Sequence, residues 1–185
     1  MTRPNGADLV LVNPGARTAI YQSLGKRLTA VENPIWAGLI ATFVRQRGYD
    51  VQIVDAEADE LAPPQIAERV AEINPRLVAV VVYGHQPSAS TQNMTGASLA
   101  CTAIRDRLPE AQILMLGGHV AALPEQTLAE EACDFVAHDE GLYTIVDLLE
   151  ADRQGDDDLS KVRGLAYWDD GRLRQVRTNA AAPLV

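Results

Sequence analysis

The sequence predicts an α/β protein with a parallel sheet covered by helices on both faces. Three observations carry this. Short apolar runs alternate with helical patterns along the first 150 residues or so. The run at residues 77–83 (LVAVVVY) has no polar alternation, as in strands buried on both faces. The connections between the segments are short, as in successive β-α units.

Each element has its own signal. Residues 8–13 (DLVLVN) read as the first strand, followed by a polar loop from Pro14 to Pro34 rich in Gly, Thr and Ser. Residues 35–47 have helical periodicity, with Ile35, Leu39, Ile40 and Phe43 on one face, and Gly48 ends the helix. Residues 51–55 (VQIVD) form a second strand, and 64–73 a helix with Pro64 near its start. The third strand spans 77–83, and a mostly helical stretch covers 96–108. A fourth strand spans 112–116 (QILML), a short helix 124–132, a weaker fifth strand 134–137, and a last helix 141–151. Right-handed crossovers and analogy with five-stranded doubly wound folds favour the Rossmann-like or flavodoxin-like order 2-1-3-4-5.

From Gln154 the composition changes. Residues 154–160 are acidic and contain Gly, which suits a loop. Residues 164–168 and 172–176 flank Asp169-Asp170-Gly171, a β-hairpin signal. The tail from Thr178 to Val185 has no evident partner. The organisation expected is one Rossmann-like domain over 1–153, with a linker and hairpin over 154–185.

Composition narrows the function classes. Of the 185 residues, 47% are hydrophobic, enough for a globular core. A net charge of −9 disfavours nucleic acid, because an acidic chain repels phosphate backbones. No apolar run reaches the length of a membrane span, and with no n-region and h-region pair at its start no secretory signal is expected. Two cysteines, Cys101 and Cys133, cannot by themselves make a zinc or iron–sulfur site. The expected setting is the cytoplasm, with reduced thiols.

In such sheets ligands bind outside the carboxyl ends of the strands. The loop after the third strand, residues 84–93 (GHQPSASTQN), is dense in hydroxyls and amides. These suit a ligand's polar groups and equally a helix N-cap. After the fourth strand comes Gly117-Gly118-His119, where missing Cβ atoms let a flat ligand approach the backbone; an ordinary tight turn has the same look. The turn at residues 138–143 (HDEGLY) places Asp139 and Glu140 where helix capping is their first role. His85, His119 and His138 all fall at strand ends, but their spacing demands no metal. There is no GxGxxG, no P-loop and no GxSxG elbow.

Five segments, in order, resemble one known family. They are residues 33–39 (NPIWAGL) continuing to 47–51 (RGYDV) and 54–56 (VDA); 74–79 (NPRLVA); 117–128 (GGHVAALPEQTL); 134–136 (DFV) through 140–144 (EGLYT); and 162–167 (VRGLAY). Together they resemble the cobalamin-binding domain that precedes the barrel in cobalamin-dependent radical S-adenosylmethionine (SAM) enzymes, many of them methyltransferases. The resemblance implies a Rossmann-like domain that holds cobalamin at the carboxyl edge of its sheet. On that model Ser88, Ser90 and Thr91 bond the nucleotide tail and corrin amides, and Gly117 and Gly118 make room for the benzimidazole. Asn13, Pro14, Gly84, His85, Gln86, His119, Val120, Glu140, Gly141 and Tyr143 complete the expected border. The DxHxxG motif that places a histidine under cobalt in mutases is absent, and the glycine pair sits one position closer to His119 than in the commonest form. There is no CxxxCxxC. SAM and a 4Fe-4S cluster are therefore expected only in a barrel outside this chain, which reads as a piece of a longer enzyme. Two other readings compete: a standalone hydrolase or transferase using His85, His119 and Asp139, and a non-catalytic or degenerate ligand-binding scaffold.

Overall fold

A computed structural model describes residues 6–15, 33–84, 87–169 and 175–181. Residues 1–5, 16–32, 85–86 (His85 and Gln86), 170–174 (with Asp170 and Gly171 of the hairpin signal) and 182–185 lie outside the described residues, as do the side chains of Pro87, Ser88 and Gln175.

The strands are β1 (Leu9–Asn13), β2 (Val51–Asp55), β3 (Leu77–Val81), β4 (Gln112–Leu116), β5 (Phe135–Ala137), β6 (Leu165–Asp169) and β7 (Gln175–Thr178). The helices are α1 (Ile35–Arg45), α2 (Pro63–Ile73), α3 (Pro87–Arg107), α4 (Gly118–Ala122), α5 (Pro124–Glu130) and α6 (Leu142–Gln154), with one 3₁₀ turn at Leu159–Lys161. All seven strands form one sheet in the order β2-β1-β3-β4-β5-β6-β7. The first five are parallel in the expected order, and the hairpin extends them antiparallel through β6 on β5.

Alternation along the strands divides the core in two. Leu9 and Leu11 face one side with Ala37, Ile40, Ala41 and Val44 of α1 and Ile145, Leu148 and Leu149 of α6. Val10 and Val12 face the other, with Ile66, Ala67 and Val70 of α2 and Ala97, Ala100, Cys101 and Ile104 of α3. Every residue of β3 is buried, as expected of a central strand covered on both faces.

Four expectations change. The face of α1 turned to the sheet is Ala37, Ile40, Ala41 and Val44, while Ile35 and Leu39 are exposed. Residues 35–44 are apolar around most of the helix, so periodicity could not choose a face. The small alanines win because they let the helix approach the sheet closely. The polar stretch expected as a loop after β3 is instead the first turns of α3, beginning at Pro87. Its Ser, Thr and Asn side chains disfavour helix on their own, but the structure supplies partners: the Asn93 amide donates to the Tyr83 carbonyl at 3.0 Å. Residues 118–122 coil into the extra short helix α4. The tail is tied down as well. Asn179 donates to the Leu159 and Val162 carbonyls at 2.8 and 2.7 Å, and Gly164 N–H donates to the Ala180 carbonyl at 2.7 Å.

Candidate functional site

The carboxyl ends of β1, β3, β4 and β5 converge on one edge, and the loops there carry the candidate residues. At the end of β1, Asn13 donates through its amide to the Asp55 carboxylate at 2.8 Å, bridging β1 and β2. Pro14 behind it is buried.

The junction between β3 and β4 is the tightest part of the edge. Gly117 has φ of +149°, and a Cβ there would sit 2.4 Å from the Val82 carbonyl oxygen. Only glycine permits both that backbone conformation and that approach. Ser90, 2% exposed, is the latch across this junction. Its hydroxyl donates to the Val82 carbonyl and accepts from the His119 N–H at 2.9 Å. Thr91 and the His119 ring meet through Oγ1 and Nδ1 at 3.1 Å. Gly118 is exposed, and a Cβ there would meet nothing nearer than Ser90 at 3.9 Å, so its backbone presents an open surface. Gly84 packs against Ala89, 2.3 Å from where its Cβ would be. Val120 is fully buried among the core residues of the α2–α3 face and offers no side-chain surface to the edge.

At β5 the turn is held by Asp139, whose carboxylate accepts from Gly141 N–H at 2.7 Å. The helix-capping role expected of Asp139 and Glu140 is not what forms: α6 starts from Gly141 with no side-chain cap, and Asp139 closes the turn before it. The buried Thr144 hydroxyl reaches the same oxygen at 3.3 Å and the Arg163 carbonyl at 2.8 Å. Gly164, at φ +63°, leaves space for this carboxylate. Glu140 is exposed at the rim. Tyr143 packs edge-to-face on Phe43 at 5.2 Å, with the Arg163 guanidinium 4.4 Å above its ring. That guanidinium makes a two-pronged pair with Asp147 at 2.7 Å per contact.

Two side chains at this edge were not among the expected site residues. Tyr83, two positions past β3, stacks on Trp36 with ring centroids 4.4 Å apart and planes at 21°. Burial, and then the negative charges of Glu140 and Asp139, push its phenol up to about 12. The signal for this pair was faint: aromatics beside a strand end read as core, and nothing in the spacing joins residue 36 to residue 83. Asp139 and Thr144 are better marked by an Asp-x-Gly turn, but their link to Arg163 spans a sequence gap that no local pattern reveals.

Of the three histidines, His119 is tied to Thr91 and Ser90, and the His138 backbone N–H donates to the Gly164 carbonyl at 2.8 Å. Among the described residues no group of three or more His, Cys, Asp or Glu is placed to hold a metal ion. No helix of the described residues is long and apolar enough to cross a membrane.

A corrinoid asks for a specific surface: an apolar platform for its ring, donors and acceptors for its peripheral amides, and a backbone that approaches its tail without Cβ atoms. This edge has all three, in Trp36 and Tyr83, in Asn13, Thr91, His119 and Glu140, and in Gly117 and Gly118.

Comparison with known proteins agrees. Residues 23–149 match the B12 binding domain family. An uncharacterized methyltransferase of Pyrococcus horikoshii is 28% identical over 167 residues, covering 90% of this chain and 34% of that protein. The anaerobic magnesium-protoporphyrin IX monomethyl ester cyclase of Cereibacter sphaeroides is 25% identical over 181 residues, 96% of this chain and 27% of the cyclase. This chain thus spans about a third or less of these relatives. Among solved structures, the radical SAM methyltransferase TsrM of Kitasatospora setae, with cobalamin and a [4Fe-4S] cluster bound, superposes with a TM-score of 0.71 at 19% identity. The match covers 97% of this chain and 30% of TsrM. The cobalamin-dependent SAM radical enzyme OxsB with aqua-cobalamin gives 0.69 at 19% identity, covering 97% of this chain and 23% of OxsB. These likenesses share the architecture derived above. With the match running from before α1 into α6 and the glycine-lined junction inside it, the chain belongs to the B12 binding domain family.

Proposed function

We propose that this chain holds cobalamin at the carboxyl edge of its sheet within a longer radical SAM enzyme that transfers a methyl group. The observation that carries it is the β3–β4 junction inside the family match: Gly117 closed on Val82, Gly118 open beside it, and Ser90 latching the two loops. When bound, cobalamin supplies the cobalt centre for group transfer; the protein supplies position and surroundings. The Gly118 backbone admits the ligand closely. The Thr91 hydroxyl, the His119 ring, the Asn13 amide and the Glu140 carboxylate are the polar groups available to its amides. His85, Gln86 and Ser88, which follow β3 in sequence and whose side chains lie outside the described residues, belong to the same proposal.

In this reading residues 1–153 hold the cofactor, and 154–185 lead toward a radical SAM barrel that binds SAM and a 4Fe-4S cluster. β7 runs parallel to β5, so the chain leaves the sheet at the cofactor edge. Cytoplasmic placement completes the proposal, consistent with two free thiols.

The test is titration of the purified chain with hydroxocobalamin and methylcobalamin, read by visible absorbance. Saturable binding with a shift toward the base-off spectrum supports the proposal, and His85→Ala then asks whether that side chain touches cobalt. A chain that is folded by circular dichroism yet binds neither corrinoid refutes it.

A further inference from the structure

The aromatic pair at the cofactor edge has a feature that packing alone does not explain. α1 gives the sheet its small face and leaves Ile35, Trp36 and Leu39 at 54%, 40% and 55% exposure. One face of the Trp36 indole lies on Tyr83, and much of the rest of the ring is open to solvent. Such a half-exposed indole is costly to leave in water unless something covers it.

Its position says what does. Trp36 belongs to the first turn of α1, whose residues enter from the carboxyl edge. Tyr83 follows β3 in the middle of the sheet, and it feels the charges of Asp139 and Glu140 across the β5 turn. The pair therefore lies between Asn13 at the end of β1 and Gly118 beyond β4. The apolar patch thus lies at the same strand edge as the polar groups already assigned to the ligand. It is aromatic, rigid on its Tyr83 support, and flanked by Ile35. A conjugated macrocycle edged with amides matches this arrangement: the ring covers the aromatic patch while the amides reach the polar rim.

Building on the cobalamin reading, we infer that Trp36, seated on Tyr83, is a direct contact for the corrin ring, with Ile35 extending the same apolar surface. Leu39, one turn further along α1, lies outside this contact.

The chain contains its own control. It has two tryptophans. Trp168 lies at the opposite end of the sheet, beyond the amino end of β5, where its indole N–H donates to the Leu128 carbonyl at 3.1 Å. Two indole N–H signals are therefore expected in a ¹⁵N–¹H spectrum, and a Trp168→Phe variant assigns them. On adding diamagnetic hydroxocobalamin, the Trp36 signal should shift through the corrin's ring current while the Trp168 signal stays in place. In absorbance titrations Trp36→Ala should weaken binding about tenfold, and Trp36→Phe should restore most of it. Because Trp36 is 40% exposed and outside the two buried cores, both variants should fold, which circular dichroism checks.

If hydroxocobalamin binds but the Trp36 signal does not move, or Trp36→Ala binds as tightly as the parent, the inference is overturned. The patch would then be covered by another surface, such as a protein domain, while the cobalamin reading stands. If the folded chain binds no corrinoid, both fall together.

Discussion

Replacing Ser90 by alanine tests whether this hydroxyl serves the protein or the ligand. Its oxygen has two partners, the Val82 carbonyl and the His119 N–H. The variant leaves both without it, at unequal cost. The Val82 oxygen is roofed by Gly117, with no room for water, so it bears the full desolvation penalty of about 1–3 kcal/mol. The His119 N–H lies next to exposed Gly118, where water can replace the hydroxyl in part. Alanine returns about 0.5 kcal/mol as the better helix former. The balance is a loss of about 2 kcal/mol, or a fall in melting temperature of about 4–8 °C for a chain of this length. Urea unfolding followed by far-ultraviolet circular dichroism should show a lower midpoint with an unchanged slope. Affinity for hydroxocobalamin, measured where the variant is fully folded, should change by less than about threefold. Unchanged stability combined with a large loss of affinity would refute the reasoning, because the hydroxyl would then belong to the ligand.

Gly117→Ala should be more damaging. A Cβ would meet the Val82 carbonyl at 2.4 Å in a backbone conformation that alanine rarely adopts, so a loss of about 3 kcal/mol or more, or failure to accumulate folded, is expected in expression and unfolding assays. At high pH two tyrosines should titrate late. Burial is the largest cause at both Tyr49 and Tyr83, followed by Glu150 for the first and Glu140 for the second; each is pushed from 10.0 up to about 12. Between those values the unfolded chain has released protons that the folded chain keeps, so stability falls as pH rises through this window. Absorbance at 295 nm should show the late titration, and Tyr83→Phe should remove one of its two components. Burial also raises both thiols, Cys133 to about 12 and Cys101 well above the usual thiol range. Neither should react quickly with a disulfide reagent until urea is added, and fast labelling of the native chain would contradict the packing.

The elements differ in how readable they are. β3 is unmistakable because both its faces are buried and both must be apolar. The glycine pair after β4 is visible as a motif, but its division of labour is not. Gly117 is required by the Val82 backbone, whereas a Cβ at Gly118 would meet nothing nearer than Ser90 at 3.9 Å, so no protein group demands glycine there; only the neighbouring loop separates the two cases. The family resemblance implies a ligand contact for Ser90, while residue type alone leaves ligand and helix cap open; in the fold its hydroxyl ties two loops together. A hydroxyl offers the same hydrogen bonds to a protein carbonyl as to a ligand amide, so chemistry alone cannot assign the partner.

What the sequence by itself determined was the order and type of the main elements, the five-stranded parallel arrangement and the family. These follow from local periodicity, short connections and motifs held in sequence order. The tertiary structure decided which face of α1 meets the sheet, that residues 87–95 coil, that the hairpin extends the same sheet, and that Trp36 lies on Tyr83. Each depends on contacts that the local sequence pattern does not specify. A helix apolar nearly all round can be oriented only by the shape of the surface it meets. A polar segment coils when the carbonyls at the end of the preceding strand, Val82 and Tyr83, satisfy its side chains. Residues 36 and 83 become neighbours only because β3 pairs with β1 and carries its end beneath the first turn of α1.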